Sequence, residues 1–256
     1  MNTKHIKVDI PEKSYFEKRG IIFENYSVLA LSVYKANFDF IDNYSHGKIL
    51  EIGCGSDSVI ESSLKENWQG IDVVSHDRHG KPSLATKFGS VHDIPFNESE
   101  FDIAISNQSI EHWYEYNISF EQAFNEVNRI LKIGGNFIFN FPVHLHGHKF
   151  FVLNKLDIID NKLLECGFKI NSKTHYISKT NYKGWLKCGF PTLYLKLHSP
   201  NFKKTSFVIE YNVEKVKNVK TKIKEKKLKN PKSRISKRLH HGFLVLGYNI
   251  FKKLLK

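Results

Sequence analysis

Short apolar runs that alternate with helix-like segments constrain the fold of this chain more than any other feature. The apolar runs predict strands at 48–52, 70–74, 101–106 and 136–141. Helices are favoured at 57–68 and 120–131. Strands separated by helices pair in parallel, because the chain must cross over before the next strand begins. The sequence therefore predicts an α/β fold with a parallel sheet.

The regions on either side of this alternation extend the same domain. Residues 12–45 carry apolar side chains at helical spacing, and 153–166 form another helix-like segment that ends at Gly167. Two further strands are predicted at 168–177 and 206–213. We therefore expect one domain over residues 1–216.

An aromatic-rich stretch at 178–205 separates the last two predicted strands. It contains Tyr182, Trp185, Phe190 and Tyr194. Aromatic side chains in an insertion beside a binding edge suit contact with a ligand. We expect this stretch to be a substrate cap.

A glycine turn between a predicted strand and a predicted helix is the first sign of a binding site. In Glu51-Ile-Gly-Cys-Gly55 the glycines let the backbone approach a ligand, and the helix that follows offers free N–H groups. An ordinary strand-to-helix turn would have the same glycines. Asp72 ends the next strand, where an acidic side chain of a Rossmann domain accepts hydrogen bonds from ribose hydroxyls.

Six segments in this order resemble the class I S-adenosylmethionine-dependent methyltransferases, in their type 11-like form. They are Ile49-Leu-Glu-Ile-Gly-Cys-Gly55, Gly70-Ile-Asp72, His92-Asp-Ile-Pro-Phe96, Phe101-Asp102, Ser106-Asn-Gln-Ser-Ile-Glu-His112 and Leu131-Lys-Ile-Gly-Gly135. The resemblance covers roughly residues 45–215. It implies a Rossmann-like methyltransferase fold, with a mostly parallel seven-stranded sheet and helices on both faces.

The resemblance also assigns the S-adenosyl-L-methionine site. The residues implied are Glu51, Gly53, Cys54, Gly55, Asp72, Val73, Asp93, Ile94, Asn107 and Gln108. The glycine turn would shape the pocket for the methionine part, Asp72 would hold the ribose, Asp93 and Ile94 would face the adenine, and Asn107 would lie beside the sulfonium. Asp57 stands where the family often has a third glycine. A nicotinamide-dependent dehydrogenase, the alternative, shares the glycine turn and the ribose-binding acid, but the His92–Phe96 and Gly134-Gly135 segments are typical of methyltransferases.

Histidines at two predicted strand ends are candidate general bases. His112 follows one strand, and His144, His146 and His148 follow Phe141-Pro142. Both groups fall at the carboxyl edge of the sheet, where open α/β folds bind ligands. We take His144, His112 and His146 as catalytic candidates, with a structural hydrogen bond or a solvated loop as the alternative for each.

A divalent metal is a second interpretation of the same residues. Gln108-Ser-Ile-Glu-His112 resembles the E-x-x-E-H motif of small-RNA 2′-O-methyltransferases and ubiquinone-pathway O-methyltransferases, with Gln108 in place of the first glutamate. Such a site would hold Mg²⁺ or Mn²⁺ and lower the pKa of a substrate hydroxyl. The candidate ligands are Glu111, His112, His144 and His148.

Most of the formal net charge of +13 lies in a C-terminal tail, 217–256. Residues 217–238 hold nine lysines and two arginines against Glu225, a net charge of +10, and an amphipathic helix-like segment follows at 239–256. Such a tail suits an anionic membrane surface, whereas RNA binding, docking on the domain and a solvated or partly disordered helix are the alternatives. Because the rest of the chain is nearly neutral, nucleic acid is the weaker choice.

The remaining composition favours a cytoplasmic protein. No apolar stretch approaches the roughly 18 to 20 residues that span a bilayer, and the three cysteines lack the spacing of a disulfide scaffold. We expect localisation in the cytoplasm, with the tail at the inner face of the membrane.

The expected reaction is O-methylation of a sugar, nucleotide-linked or cell-surface-glycan intermediate. An RNA 2′-O-methyltransferase and a non-catalytic partner subunit are the alternatives.

Overall fold

The computed structural model describes most of the domain and a few residues beyond it. The described residues are 2–8, 11–26, 28–43, 47–56, 58, 60, 66–77, 80–143, 156–178 and 206–219. Almost all of the predicted aromatic cap at 178–205 and of the basic tail at 217–256 lies outside these ranges, as do His144, His146 and His148.

One sheet of eight strands forms the centre of the domain. The strands are β1 (Asn2–Val8), β2 (Ile49–Ile52), β3 (Trp68–Asp72), β4 (Lys87–Phe88), β5 (Phe101–Asn107), β6 (Leu131–Pro142), β7 (Phe168–Ser178) and β8 (Ser206–Lys215). Their order across the sheet is β1-β7-β8-β6-β5-β2-β3-β4. All neighbours pair in parallel except β8, which is antiparallel to both β6 and β7. The predicted, mostly parallel sheet is confirmed.

Helices cover both faces of this sheet. They are α1 (Lys13–Glu17), α2 (Val28–Ile41), α3 (Phe120–Ile130) and α4 (Leu156–Glu165), with 3-10 helices at Phe23–Asn25 and Ile110–Tyr116. On one face, α1 and α2 bury Phe16, Leu31 and Phe38 against Ile103 and Ile105 of β5. On the other, α3 and α4 pack on β6 and β8. Each strand thus contributes alternate side chains to two cores.

The strand count corrects the expected seven. The additional strand is β1, which pairs in parallel with β7 at the sheet edge. Its side chains from Asn2 to Ile6 are exposed, so it lacks the apolar run that marks a buried strand. The two residues of β4 are also exposed. Both strands lie at an edge of the sheet, and they form by backbone pairing with one neighbour rather than by burial of their side chains.

The continuous helical segment expected at 12–45 is also wrong. The first helix ends at Glu17, and Gly20 follows in the left-handed conformation with φ of +72°. A glycine takes that conformation at little cost and turns the chain out of the helix. The main helix, α2, begins only at Val28.

Local signals explain the start of α3. The Ser119 hydroxyl accepts from the Gln122 backbone N–H at 3.2 Å, and the Gln122 side chain accepts from the Ser119 N–H at 3.2 Å. This capping box satisfies two backbone donors of the first turn. Within the described ranges, no helix is long and apolar enough to cross a membrane.

Phe124 of α3 lies at the centre of an aromatic cluster. Its ring centroid is 5.8 Å from that of Phe120, 5.9 Å from Phe139 and 6.2 Å from Trp113. We expect Phe124→Ala to lower the free energy of unfolding by about 3 to 5 kcal/mol, because it leaves a cavity. Phe88→Ala, at a side chain that is 59% exposed, should change it by less than about 0.5 kcal/mol. Equal effects in urea denaturation would contradict this assignment of the core.

Candidate active site

The turn after β2 is held against β3 and against the segment that follows β5. The N–H groups of Gly53 and Cys54 donate to the carbonyl of Ile71, at 2.9 and 3.2 Å. Gly53 has φ of +75°, and a Cβ there would lie 2.9 Å from the Cβ of Ser109 and nearer still to its Oγ. Gly55 has φ of +62° and faces open space. The turn is therefore packed on one side and open on the other.

Asp72 joins this turn to the end of β3. Its Oδ2 accepts from the backbone N–H of Gly55 at 2.9 Å, and its Oδ1 accepts from Val74 N–H at 3.1 Å. Each carboxylate oxygen has about two lone pairs, so both can accept a further hydrogen bond. The carboxylate is thus fixed in position and retains the capacity to bind two hydroxyls. The neighbouring Val73 is exposed.

Glu51 ties the base of the turn together. Its Oε2 accepts from the Trp68 indole N–H at 3.0 Å and from the Ser58 hydroxyl. Cys54 is buried beside it, and this burial, with the charges of Glu51 and Asp72, raises the pKa of the thiol to about 12. Cys54 is therefore protonated at neutral pH, and it lines the turn rather than acting as a nucleophile.

The loop from His92 to Phe96 is anchored by two residues of α3. Glu126 Oε2 accepts from the backbone N–H of Ile94 at 3.1 Å, and Arg129 donates to the carbonyls of Ile94 and Phe96 at 2.8 Å each. Arg129 also pairs with Glu126 at 2.9 Å. These contacts leave Asp93 exposed and Ile94 buried. Sequence reasoning missed this anchor, because Glu126-x-x-Arg129 has the spacing of an ordinary pair on a helix surface.

Asn107, at the end of β5, belongs to a cluster of four amide side chains. Its Oδ1 accepts from the side-chain amide of Asn37 on α2, at 2.9 Å, and from that of Asn140 on β6. Asn140 Oδ1 accepts in turn from the Gln108 backbone N–H at 3.2 Å and from its side chain at 2.7 Å. Asn37 and Asn140 are each only 1% exposed.

Sequence reasoning missed Asn37. The signal that could have found it is a polar residue on the apolar face of a helix, four residues from Val33 and from Ile41.

The polar row, which we define as Asn107, Asn140 and Glu210, crosses three strands. Asn107 pairs with Asn140, and Asn140 pairs with Glu210 of β8, so all three side chains lie on the face covered by α2. The Tyr176 hydroxyl of β7 donates to Glu210 Oε1 at 3.3 Å. Burial raises the pKa of Glu210 to about 8, so this carboxyl group is mostly uncharged at pH 7.

His112 lies in the 3-10 helix that follows β5. Its Nδ1 is 2.7 Å from Glu115 Oε1, and its Nε2 is 3.8 Å from Glu111 Oε1. Because a carboxylate only accepts, Nδ1 carries the proton in the neutral ring and Nε2 is the basic nitrogen. The structure therefore orients one of the three catalytic candidates, while His144 and His146 stay predictions.

Two of the four predicted metal ligands, His144 and His148, lie outside the described residues, so the metal site stays a prediction. Among the described residues, no three histidine, cysteine, aspartate or glutamate side chains are arranged to hold a metal ion. Glu111 and His112 are adjacent, and His112 is already bonded to Glu115. Gln108, at the motif's first position, donates to Asn140. These residues do not fit a divalent cation by themselves.

Comparison with known proteins identifies the central segment. Residues 50–139 match the family model described as "Methyltransferase domain". The chain is 37% identical over 70 residues to the uncharacterized protein YafE of Escherichia coli K12, an alignment that covers 27% of this chain and 32% of YafE. The chain thus spans about a third of the curated relative that it matches.

Two solved structures share the fold over most of the chain. One, described as a sarcosine dimethylglycine methyltransferase from Galdieria sulphuraria, has a TM-score of 0.50 and 14% identity, over 83% of this chain and 94% of that one. The other is a geranyl diphosphate C-methyltransferase from Streptomyces coelicolor A3(2), with a TM-score of 0.50 and 11% identity, over 81% of this chain and 86% of that one. At this identity the likeness concerns the fold, and it confirms the expected Rossmann-like architecture.

The two glycines of the turn should respond differently to substitution. Both Gly53→Ala and Gly55→Ala place a side chain at positive φ, which costs about 1 to 3 kcal/mol. Gly53→Ala also collides with Ser109, so we expect it to reduce the free energy of unfolding by at least about 1 kcal/mol more. Ser109→Gly should recover part of that difference in a double-mutant cycle. Equal losses without recovery would show that the turn does not pack on Ser109.

Glu210 should make the stability of the protein depend on pH. Its pKa rises from 4.5 to about 8 on folding, so the folded protein binds the extra proton and stability falls as the pH rises through this interval. Glu210→Gln removes the titration. The free energy of unfolding of the Glu210→Gln variant, taken relative to that of the wild type, should therefore increase between pH 5 and pH 8 by at least about 1 kcal/mol. Parallel pH profiles would contradict the burial of this carboxyl group, and exposed Glu98→Gln is the control.

Proposed function

The chain carries a class I S-adenosylmethionine-dependent methyltransferase domain, and we propose that it transfers the methyl group to a hydroxyl oxygen. The observation that carries the proposal is the fixed carboxylate of Asp72 beside the open side of Gly55. A ribose offers two adjacent hydroxyls, and the two carboxylate oxygens, each positioned by a backbone N–H, match them.

The cofactor would extend from this point along the carboxyl edge of the sheet. The glycine turn and Cys54 would contact its methionine part, and Ile94, held by Glu126 and Arg129, would cover its adenine. Asn107 would lie beside the sulfonium. The backbone of the turn and of the loop is fixed before binding, because both are bonded to neighbouring strands and to α3.

The reaction needs little from the protein beyond alignment and proton removal. S-adenosylmethionine supplies a methyl group on a positively charged sulfur, which is already a strong electrophile. The domain would hold an acceptor oxygen in line with that group and exclude water. His112 would take the proton of the acceptor hydroxyl at Nε2, while Glu115 holds the ring and stabilises the imidazolium that forms.

We place the acceptor among sugars, nucleotide-linked sugars and cell-surface-glycan intermediates. Amide side chains are common partners of neutral hydroxyls, and the cluster around Asn107 offers them at the expected methyl position. A base-assisted reaction suits the described residues better than a metal-assisted one, because Gln108 is bonded to Asn140. The membrane role of the basic tail stays a prediction.

Calorimetric titration with S-adenosylhomocysteine tests the cofactor site. We expect micromolar binding by the wild type and binding at least about tenfold weaker by Asp72→Ala, because a charge-assisted hydrogen bond contributes about 1.5 to 3 kcal/mol. Asp42→Ala, which removes an exposed carboxylate paired with Arg19, is the matched control and should bind like the wild type.

Thermal unfolding of the same samples separates binding from folding, since Asp72→Ala also removes two backbone contacts. A folded wild type that binds no S-adenosylhomocysteine would overturn the proposed function. Unchanged affinity in a folded Asp72→Ala variant would show that Asp72 does not bind the ribose.

A further inference from the structure

Asn37 and Asn107, which we call the amide pair, each keep one polar atom with no hydrogen-bond partner among the described residues. These atoms are Asn37 Oδ1, an acceptor, and Asn107 Nδ2, a donor, and both are buried. We propose that the amide pair binds the methyl acceptor through a neutral group which both donates and accepts a hydrogen bond, such as a hydroxyl next to the one whose proton His112 would take. This inference rests on the proposed function and names the acceptor subsite within it.

The direction of every amide in the cluster follows from one backbone group. The Gln108 N–H can only donate, and it meets both the backbone carbonyl and the side chain of Asn140 at 3.2 Å, so the side-chain atom that it meets must be the oxygen. Asn140 therefore turns its NH₂ group towards Asn107, and the atom of Asn107 that receives it must also be an oxygen. That oxygen then accepts from Asn37 as well. A flip of any one amide would place two donors or two acceptors together.

This chain of bonds leaves one acceptor unused on Asn37 and one donor unused on Asn107, on two side chains that are joined to each other by a hydrogen bond of 2.9 Å. A buried polar group without a partner costs about 1 to 3 kcal/mol. An apolar side chain at position 37 would avoid that cost, as Val33 and Ile41 do on the same face of α2. A polar ligand group that completes both bonds explains why an asparagine stands there.

The amide pair is close to the cofactor turn. Asn107 is two residues from Ser109, and Ser109 is the side chain that a Cβ on Gly53 would meet. A group held by Asn37 and Asn107 therefore lies beside the methionine end of the proposed cofactor site, on the side covered by α2. This is where an acceptor must lie for direct methyl transfer.

The surroundings of the amide pair favour an uncharged acceptor. The polar row continues from Asn140 to Glu210, whose raised pKa of about 8 keeps it mostly protonated at neutral pH, and Tyr176 donates to it. The polar row and Tyr176 thus present amides, a carboxylic acid and a phenol. A carboxylate or an ammonium group here would lose its hydration without a charged partner, whereas a hydroxyl would form two neutral hydrogen bonds.

Side-chain amide NMR resonances report on this subsite without knowledge of the natural acceptor. The sample is the full chain labelled with nitrogen-15 and saturated with S-adenosylhomocysteine, and the probes are glycerol, acetate and ethylammonium, each titrated at millimolar to molar concentration. We expect glycerol to shift the Asn37 and Asn107 NH₂ resonances with saturation. Acetate and ethylammonium should shift them at least about tenfold less at equal concentration.

Asn37→Leu should weaken the glycerol response of Asn107 at least about tenfold and leave S-adenosylhomocysteine affinity within about threefold of wild type. Asn43→Leu, at an exposed asparagine after α2, is the matched control and should change neither quantity. If Asn37→Leu does not fold, Asn37→Ser replaces it, with the same expected loss.

Three results would overturn the acceptor role while leaving the proposed function intact. The first is cofactor binding without any glycerol shift at the amide pair. The second is an equal response to glycerol and acetate, and the third is a full glycerol response in the Asn37 variants. Failure of the wild type to bind S-adenosylhomocysteine would overturn the proposed function and the acceptor role together.

Discussion

The hydrogen bonds from Gly55 and Val74 to the Asp72 carboxylate are the interaction on which the rest of the site depends. They connect the turn after β2 to the end of β3, and so fix both segments at the same edge of the sheet. The parallel order of β3, β2 and β5 then brings the end of β5 to the same place. Binding residues that are distant in sequence meet because parallel strands end together.

A second feature of the proposed site is its distribution of charge. The proposed ribose end has the Asp72 carboxylate, whereas the side covered by α2 has amides, Tyr176 and a mostly protonated Glu210. Methyl transfer to a hydroxyl needs a neutral acceptor. The uncharged side of the proposed site matches this requirement, which connects its electrostatics to the proposed reaction.

The sequence predicts the parts of this fold that are buried and misses those that are not. Strands such as β5 are apolar runs, because both of their faces are covered. The predicted limits of these strands agree with the observed ones to within a few residues. The exposed edge strand β1 has no such run, and only the left-handed Gly20 explains why the first helix stops early.

A different distinction, between local signals and long-range contacts, applies to the site. The glycine turn and Asp72 follow from local spacing and from a family resemblance. Contacts between distant segments do not, so the hydrogen bonds of Asn37 on α2 and of Arg129 on α3 appear only when the chain is folded.

Hydrogen–deuterium exchange with S-adenosylhomocysteine tests the central claim directly. We expect new protection of backbone amides at 53–55, 73–74, 92–94 and 96, and protection elsewhere or none at all would contradict this cofactor site.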